Sequence, residues 1–170
     1  MAAALTLLHL NSTERDLYLF DTFEGMPRPT DFDVHHTGTP GMVAFTNLQT
    51  GEDSSAECAA TLAEVQSTMK RSKYDPKLIH YLKGKVETTI PEQAPEQIAL
   101  LRLDTDYYES TKHELDHLFP RLSPGGILII DDYGEWQGAR KAVDEYIANH
   151  APSLFLSRID ETGRISVKIA

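Results

Sequence analysis

Three short apolar runs in this chain end in aspartate: Leu17-Tyr18-Leu19-Phe20-Asp21, Ile98-Ala99-Leu100-Leu101-Arg102-Leu103-Asp104 and Ile127-Leu128-Ile129-Ile130-Asp131-Asp132. Runs of this length have the size of buried strands, and an acid at the end keeps its charge on a sheet rim, outside the core. Helical stretches separate them. Ser54 or Ser55 is expected to cap a helix running to about Arg71, with Glu57 near its first turn. A second helix, from about Ser110 to Leu122, puts Leu115, Leu118, Phe119 and Leu122 on one face, and a third runs from about Gly138 to Asn149. Leu78 to Leu82 reads as a further strand, and Pro124-Gly125-Gly126 breaks the chain before the 127–130 run. Residues 2–10 read as the tail of a helix closed by Asn11 and Ser12, and weaker strands lie near 154–159 and 164–169. Strands alternating with amphipathic helices predict an α/β fold, a mostly parallel sheet with helices on both faces and an antiparallel C-terminal edge. No repeat or linker divides residues 1–170, so a single domain is expected.

The formal net charge of -10 argues against a nucleic-acid partner, which needs clustered Lys and Arg to neutralise phosphates. It equally disfavours an anionic membrane surface. No stretch approaches the roughly 20 apolar residues of a membrane span, and the apolar opening residues lack the basic start of a signal peptide. The single cysteine, Cys58, forms no intrachain disulfide and stands among Ala56, Ala59 and Ala60, where a small buried helical residue is expected. These features together predict a cytoplasmic protein.

In open α/β sheets, ligands bind beyond the carboxyl ends of the parallel strands, where these acids fall. Asp104, Asp131 and Asp132 converge if their strands are neighbours, and three hard oxygen ligands suit Mg²⁺ or Mn²⁺. Such an ion lowers the pKa of a bound hydroxyl, with Asp104 as the general base. Asp21 is placed to accept hydrogen bonds from a ribose, with capping of the turn at Thr22 as the competing reading. Residues 24–53 show no clear period and read as a lid or a disordered loop. Within it, His35 and His36 are base, substrate or metal candidates, or simply solvated. Tyr133 and Trp136 wall an acceptor pocket or pack as ordinary aromatics. Asp104-Thr105-Asp106 also resembles the metal-binding Asp-x-Asp of some glycosyltransferases and the aspartyl pair of some phosphatases.

Three stretches taken together resemble the macrocin-type O-methyltransferases: Leu17 to Pro27 (LYLFDTFEGMP), Leu101 to Thr111 (LRLDTDYYEST) and Leu122 to Tyr133 (LSPGGILIIDDY). The weaker Lys83 to Pro91 also fits. The resemblance implies a Rossmann-like methyltransferase fold, S-adenosylmethionine as methyl donor, a divalent ion and a small-molecule acceptor carrying a sugar hydroxyl. It puts Asp104, Asp131 and Asp132 on the metal positions, Asp104 on the base, Asp21 on the ribose acid with Phe23 beside it, and Glu87 near the adenine end. Thr88 stands where the family often has a second acid. His36, Tyr133 and Trp136 are the expected acceptor contacts.

One departure stands out: the first glycine is Gly25, already past the ribose acid. The family's first strand and its Gly-rich turn are therefore expected to be missing. That strand lies between those ending at Asp21 and Asp104, so its loss opens a gap with unpaired backbone on both sides. Either the chain is a truncated piece of an active enzyme, or it is a shortened homologue. A homologue would repair its sheet by direct pairing of the flanking strands or by homo-oligomerisation through exposed edges. A non-catalytic binding or oligomerisation module is the alternative function.

Overall fold

Pleating sends alternate residues of a strand to opposite faces, and in this chain that rule sorts the core into two parts. The computed structural model describes residues 1–169. Along the chain run α1 (Ala2–His9), β1 (Leu17–Asp21), α2 (Gly41–Leu48), β2 (Gln49–Gly51), β3 (Ser54–Ser55), α3 (Leu62–Lys70), β4 (Ile79–Lys83), α4 (Val86–Thr89), β5 (Ile98–Leu103), α5 (Tyr108–Leu118), β6 (Leu122–Ile130), α6 (Gln137–His150), β7 (Ser157–Arg158) and β8 (Arg164–Val167). Leu17 and Leu19 of β1 join Ile79 and Tyr81 of β4 in a small core closed by Ala4, Leu7 and Leu8 of α1 and by Val65 and Met69 of α3. Phe20 packs instead against the larger core. There Leu101 and Leu103 of β5 meet Leu122, Leu128 and Ile130 of β6, under Leu115 and Leu118 of α5 and Val143 and Tyr146 of α6. Complete burial of each such side chain contributes roughly 1.5–3 kcal/mol, so this cluster dominates the stability.

Strands β1 and β4 pair in parallel, as do β5 and β6; β8 runs antiparallel to β6, and β7 antiparallel to β8. The antiparallel C-terminal edge is thus as expected. The expected opening is also present. Among the described residues β1 pairs only with β4 and β5 only with β6, so the strands ending at Asp21 and Asp104 do not close onto each other. Helices α5 and α6 cover one face of the four-stranded sheet. On the opposite face Leu100 and Val167 are 55% and 51% exposed, while α1 and α3 pack on Leu17 and Leu19 of β1, the face opposite Phe20, so helices lie on both faces of the fold as expected.

Several local expectations change. Residues 24–53 hold α2 and β2, the first strand of the β2–β3 hairpin, so the segment of the expected lid or disordered loop carries regular structure. Ser54 and Ser55 form β3 and do not cap a helix, because Ser55 N–H donates to Met26 O at 3.0 Å. The cap is Thr61, seven residues past Ser54: its hydroxyl accepts from Glu64 N–H at 3.3 Å while Glu64 accepts from Thr61 N–H at 2.9 Å. Such a reciprocal capping box outcompetes a lone serine, because it satisfies two orphan donors together. Cys58 therefore lies outside the helix, exposed and at φ 52°. Pro124-Gly125-Gly126 lies inside β6, where a register shift between Ile98 and Leu100 on the partner strand absorbs it. No helix among the described residues is long and apolar enough to cross a membrane.

Candidate functional site

Parallel pairing of Leu103 with Ile130 brings the ends of β5 and β6 to one rim. Asp131 N–H then donates to Leu103 O at 3.0 Å, which fixes the two acid-bearing turns side by side. Beyond Asp104 the chain folds tightly: Tyr107 N–H reaches Thr105 O at 2.7 Å, and Asp106 takes a left-handed conformation with φ 64°. Aspartate tolerates that region better than most residues, since its short polar side chain bonds locally. Asp106 N–H donates to Asp132 Oδ2 at 3.2 Å. One carboxylate oxygen from each of Asp104, Asp106 and Asp132 lies within 4.8 Å of the others.

The expected trio therefore changes in one member. Asp104 and Asp132 do meet, but the third acid of the group is Asp106 and not Asp131. Successive residues leave a strand on opposite sides: Asp132 is buried, whereas Asp131 stands on the side of Arg102. The Arg102 guanidinium spans two carboxylates, with Nη1 at 2.7 Å from Asp104 Oδ2 and Nη2 at 3.0 Å from Asp131 Oδ2. Nothing in the sequence announces the left-handed turn that carries Asp106 inward, although its Asp-x-Asp spacing from Asp104 was a signal pointing at it.

Burial sets the electrostatics. It pushes Asp104 up to about 6, with the neighbouring Asp131 adding to the rise and Arg102 opposing it. Asp106 is raised to about 6 by burial, against a hydrogen bond from Asp132 and with the charges of Asp104, Glu135 and Glu57 adding. Asp132 goes furthest, to about 8, through burial and then the charges of Asp106 and Asp104. A crowded, half-desolvated set of oxygen donors of this kind fits a hard divalent cation such as Mg²⁺ or Mn²⁺. Arg102 competes with such a cation for Asp104. Arg102→Gln is expected to tighten Mn²⁺ binding about 3- to 10-fold at low salt, and less at high salt, because the guanidinium is partly exposed. Titration of Mn²⁺ followed by electron paramagnetic resonance reads this directly, and an unchanged affinity would mean the ion pairs are too solvated to matter.

The expected cofactor residues lie on the adjoining β1–β4 rim, where Gly84 N–H donates to Asp21 O at 3.0 Å. Asp21 is exposed, with Oδ1 accepting from Phe23 N–H at 2.6 Å. This bond and one from Thr22 Oγ1 at 3.4 Å also make Asp21 a turn cap, the competing reading. Phe23 is 4% exposed at φ 54°, so its ring packs inward and presents little surface to a ligand. Glu87 is exposed in the first turn of α4, close enough for its charge to act on Glu114 of α5.

The expected acceptor residues His36, Tyr133 and Trp136 come together along a cavity of about 620 Å³, with Phe32, Arg140 and Lys141. Tyr133 lies between two guanidiniums, Arg140 at 5.0 Å and Arg164 at 4.8 Å from its ring centre, and its hydroxyl donates to Asp144 at 2.8 Å. Trp136 packs edge-on against Tyr107 at 5.2 Å and against His35 at 5.4 Å. Backbone bonds from His36 N–H to Glu135 O at 2.7 Å and from Gln137 N–H to Val34 O at 2.9 Å dock the 24–53 segment on this wall.

Two further contributions escaped the sequence reading. Asp33, 1% exposed, reaches from that segment to accept Tyr108 N–H at 2.7 Å, supplying the start of α5 with the cap its own Tyr107 lacks. Glu57 Oε2 and Tyr107 Oη are buried without a hydrogen-bond partner beside the acid group. Burial, then the charges of Glu57 and Asp106, raises the Tyr107 phenol. Buried orphan groups in a native fold call for a reason, and a bound polar ligand is one.

The profile of the family described as Macrocin-O-methyltransferase (TylF) matches residues 1–166. A mycinamicin III 3''-O-methyltransferase from Micromonospora griseorubida is 36% identical over 150 residues, 88% of this chain and 56% of the relative. An 8-demethyl-8-(2,3-dimethoxy-alpha-L-rhamnosyl)-tetracenomycin-C 4'-O-methyltransferase from Streptomyces olivaceus is 34% identical over 151 residues, 89% of this chain and 54% of the relative. The chain thus spans about half the length of the curated relatives it matches. Among solved structures, the O-methyltransferase NovP superposes with a TM-score of 0.82 at 26% identity, over 99% of this chain and 67% of that one. The α/β architecture is accordingly the Rossmann-like methyltransferase fold. By profile and by these relatives, the chain belongs to the macrocin O-methyltransferase family.

Proposed function

We propose that this chain carries the acid-bearing part of an S-adenosylmethionine-dependent O-methyltransferase that methylates a sugar hydroxyl with the help of Mg²⁺ or Mn²⁺. The observation that carries the reading is the group Asp104, Asp106 and Asp132, three carboxylate oxygens within 4.8 Å at the rim of a methyltransferase-family sheet. These three residues would hold the cation, which when bound lowers the pKa of an acceptor hydroxyl. Asp131 stays on Arg102 in the outer layer. Asp104, the exposed member, takes the proton of the hydroxyl as its oxygen receives the methyl group from sulfur. Asp21 accepts from the ribose and Glu87 from the adenine end. His36, Tyr133 and Trp136 wall the acceptor, and docking of the 24–53 segment excludes water. Phe23, packed inward, shapes the turn that presents Asp21. The names of the two relatives, a 4'-O- and a 3''-O-methyltransferase, support a sugar position on a natural product as the acceptor.

A second reading has its own observation. The unpaired edges of β1 and β5 favour a binding or oligomerisation module whose copies meet at the sheet opening. Asp104-x-Asp106 also suits a metal-dependent glycosyltransferase, but membership of the methyltransferase family leaves that reading without further support. Calorimetry of the chain with S-adenosylmethionine and Mg²⁺, followed by labelled methyl transfer to an alkyl L-rhamnoside, separates them. Micromolar cofactor binding with transfer is the expected result. Absence of cofactor binding at millimolar concentration, with a concentration-dependent oligomer, overturns the enzyme reading for this chain.

A further inference from the structure

Glu114 lies in the middle of α5 with 5% of its surface exposed, on the helix that also buries Leu115 and Leu118. A carboxyl in such a place is expensive: burial pushes Glu114 up to about 8. A leucine there would suit the packing better, so the fold alone gives no reason for an acid. Its one side-chain hydrogen bond among the described residues points to the acid-bearing rim, where Glu114 Oε2 accepts from the Thr105 hydroxyl at 2.9 Å.

Thr105 sits between Asp104 and Asp106, and the turn is anchored there twice more. Its carbonyl accepts from Tyr107 N–H at 2.7 Å and from Ser110 Oγ at 3.2 Å. The next residue, Asp106, holds the left-handed φ of 64° and donates its N–H to Asp132 Oδ2 at 3.2 Å. A left-handed aspartate is mildly strained, by an amount comparable to one hydrogen bond, so a single anchor decides which turn conformer is populated.

We propose that Glu114 is a positioning residue: by gripping the Thr105 hydroxyl from within α5, it holds the Asp104–Tyr107 turn so that the Asp106 carboxylate meets those of Asp104 and Asp132. The metal consequence rests on the cation reading above, whereas the turn geometry does not. Glu114 acts through the Thr105 hydroxyl; its charge also reaches Asp104, which is why Thr105→Val, which leaves that charge in place, is the cleaner arm of the test.

The test measures two things on the whole chain: hydrogen exchange of the Asp106 amide by nuclear magnetic resonance, and Mn²⁺ affinity by electron paramagnetic resonance. Glu114→Leu and the nearly isosteric Thr105→Val remove the grip from either end. Both are expected to speed Asp106 exchange and weaken Mn²⁺ binding about ten-fold, the scale of one hydrogen bond. Glu114→Leu should do so with an unchanged or higher melting temperature, which a merely structural glutamate would not allow. Glu114→Gln keeps an acceptor oxygen and should stay near the wild type on both readouts. Wild-type exchange and affinity in Glu114→Leu and Thr105→Val would overturn the proposal, as would equal losses in Glu114→Gln and Glu114→Leu. If Glu114→Leu fails to fold, Thr105→Val carries the test. If the wild type takes up no Mn²⁺, the cation reading falls and the exchange of the Asp106 amide alone decides for or against the grip.

Discussion

Asp132→Asn is expected to weaken Mn²⁺ binding about 100-fold or more, a larger loss than any other single change at the rim. Asp132 is the buried member of the group, 8% exposed, so its charge acts through low-dielectric surroundings. The asparagine carbonyl still accepts from Asp106 N–H, the bond now at 3.2 Å, and so preserves the turn while removing the charge. Asp104→Asn touches the half-exposed member, already paired with Arg102, and should lose less, about ten-fold, because water and the guanidinium partly screen that carboxylate. In the absence of metal the same Asp132→Asn change should raise the melting temperature, since it deletes a carboxylate that burial and its neighbours disfavour. Mn²⁺ titrations and thermal melts of the two variants check both halves. Undiminished Mn²⁺ affinity in Asp132→Asn would remove this residue from the cation site.

The metal-free chain is expected to be more stable at pH 5.5 than at pH 8.5, by several degrees of melting temperature on the scale where about 1 kcal/mol moves a chain this long by about 2–4 °C. The sign follows from the direction of the shifts. Asp104 and Asp106 are raised to about 6 and Asp132 to about 8, so the folded state holds protons that the unfolded state has released. Their stabilising effect is complete below the ordinary carboxylate range and is lost as pH rises through about 6 to 8. Glu114, raised to about 8 by burial, acts in the same direction. The carboxylates with lowered values, Asp53, Glu64, Glu145 and Asp160, lie near the surface and lose stability only as pH falls below the ordinary range, outside this window. Millimolar Mg²⁺ or Mn²⁺ should remove the part due to the three aspartates and leave that of Glu114. Melts at the two pH values with and without the ion measure it. A metal-free chain more stable at the higher pH would show that the rim acids are not held protonated by their surroundings.

The segments that depend on local pattern were legible in the residues. Leu17 to Phe20, Ile98 to Leu103 and Ile127 to Ile130 announce strands by apolar composition, and their terminal acids announce a rim. Apolar spacing announced α5 and α6, although Leu122, expected on the α5 face, opens β6. Reading failed where two local signals competed. Ser54 or Ser55 was the expected cap, and the cap is Thr61 because Ser55 is held in a hairpin and bonded to Met26, distant in sequence.

The sequence by itself determined the fold class, the family and the fact that acids cluster at strand ends. Only the tertiary structure decided that Asp106 faces Asp104 and Asp132, that Arg102 keeps Asp131 outside, and that Glu114 reaches Thr105 from a neighbouring helix. The physical reason is range. Periodicity and composition act over a few residues, while the direction of a side chain beyond a strand end depends on strand register and on one left-handed residue held by contacts across the fold.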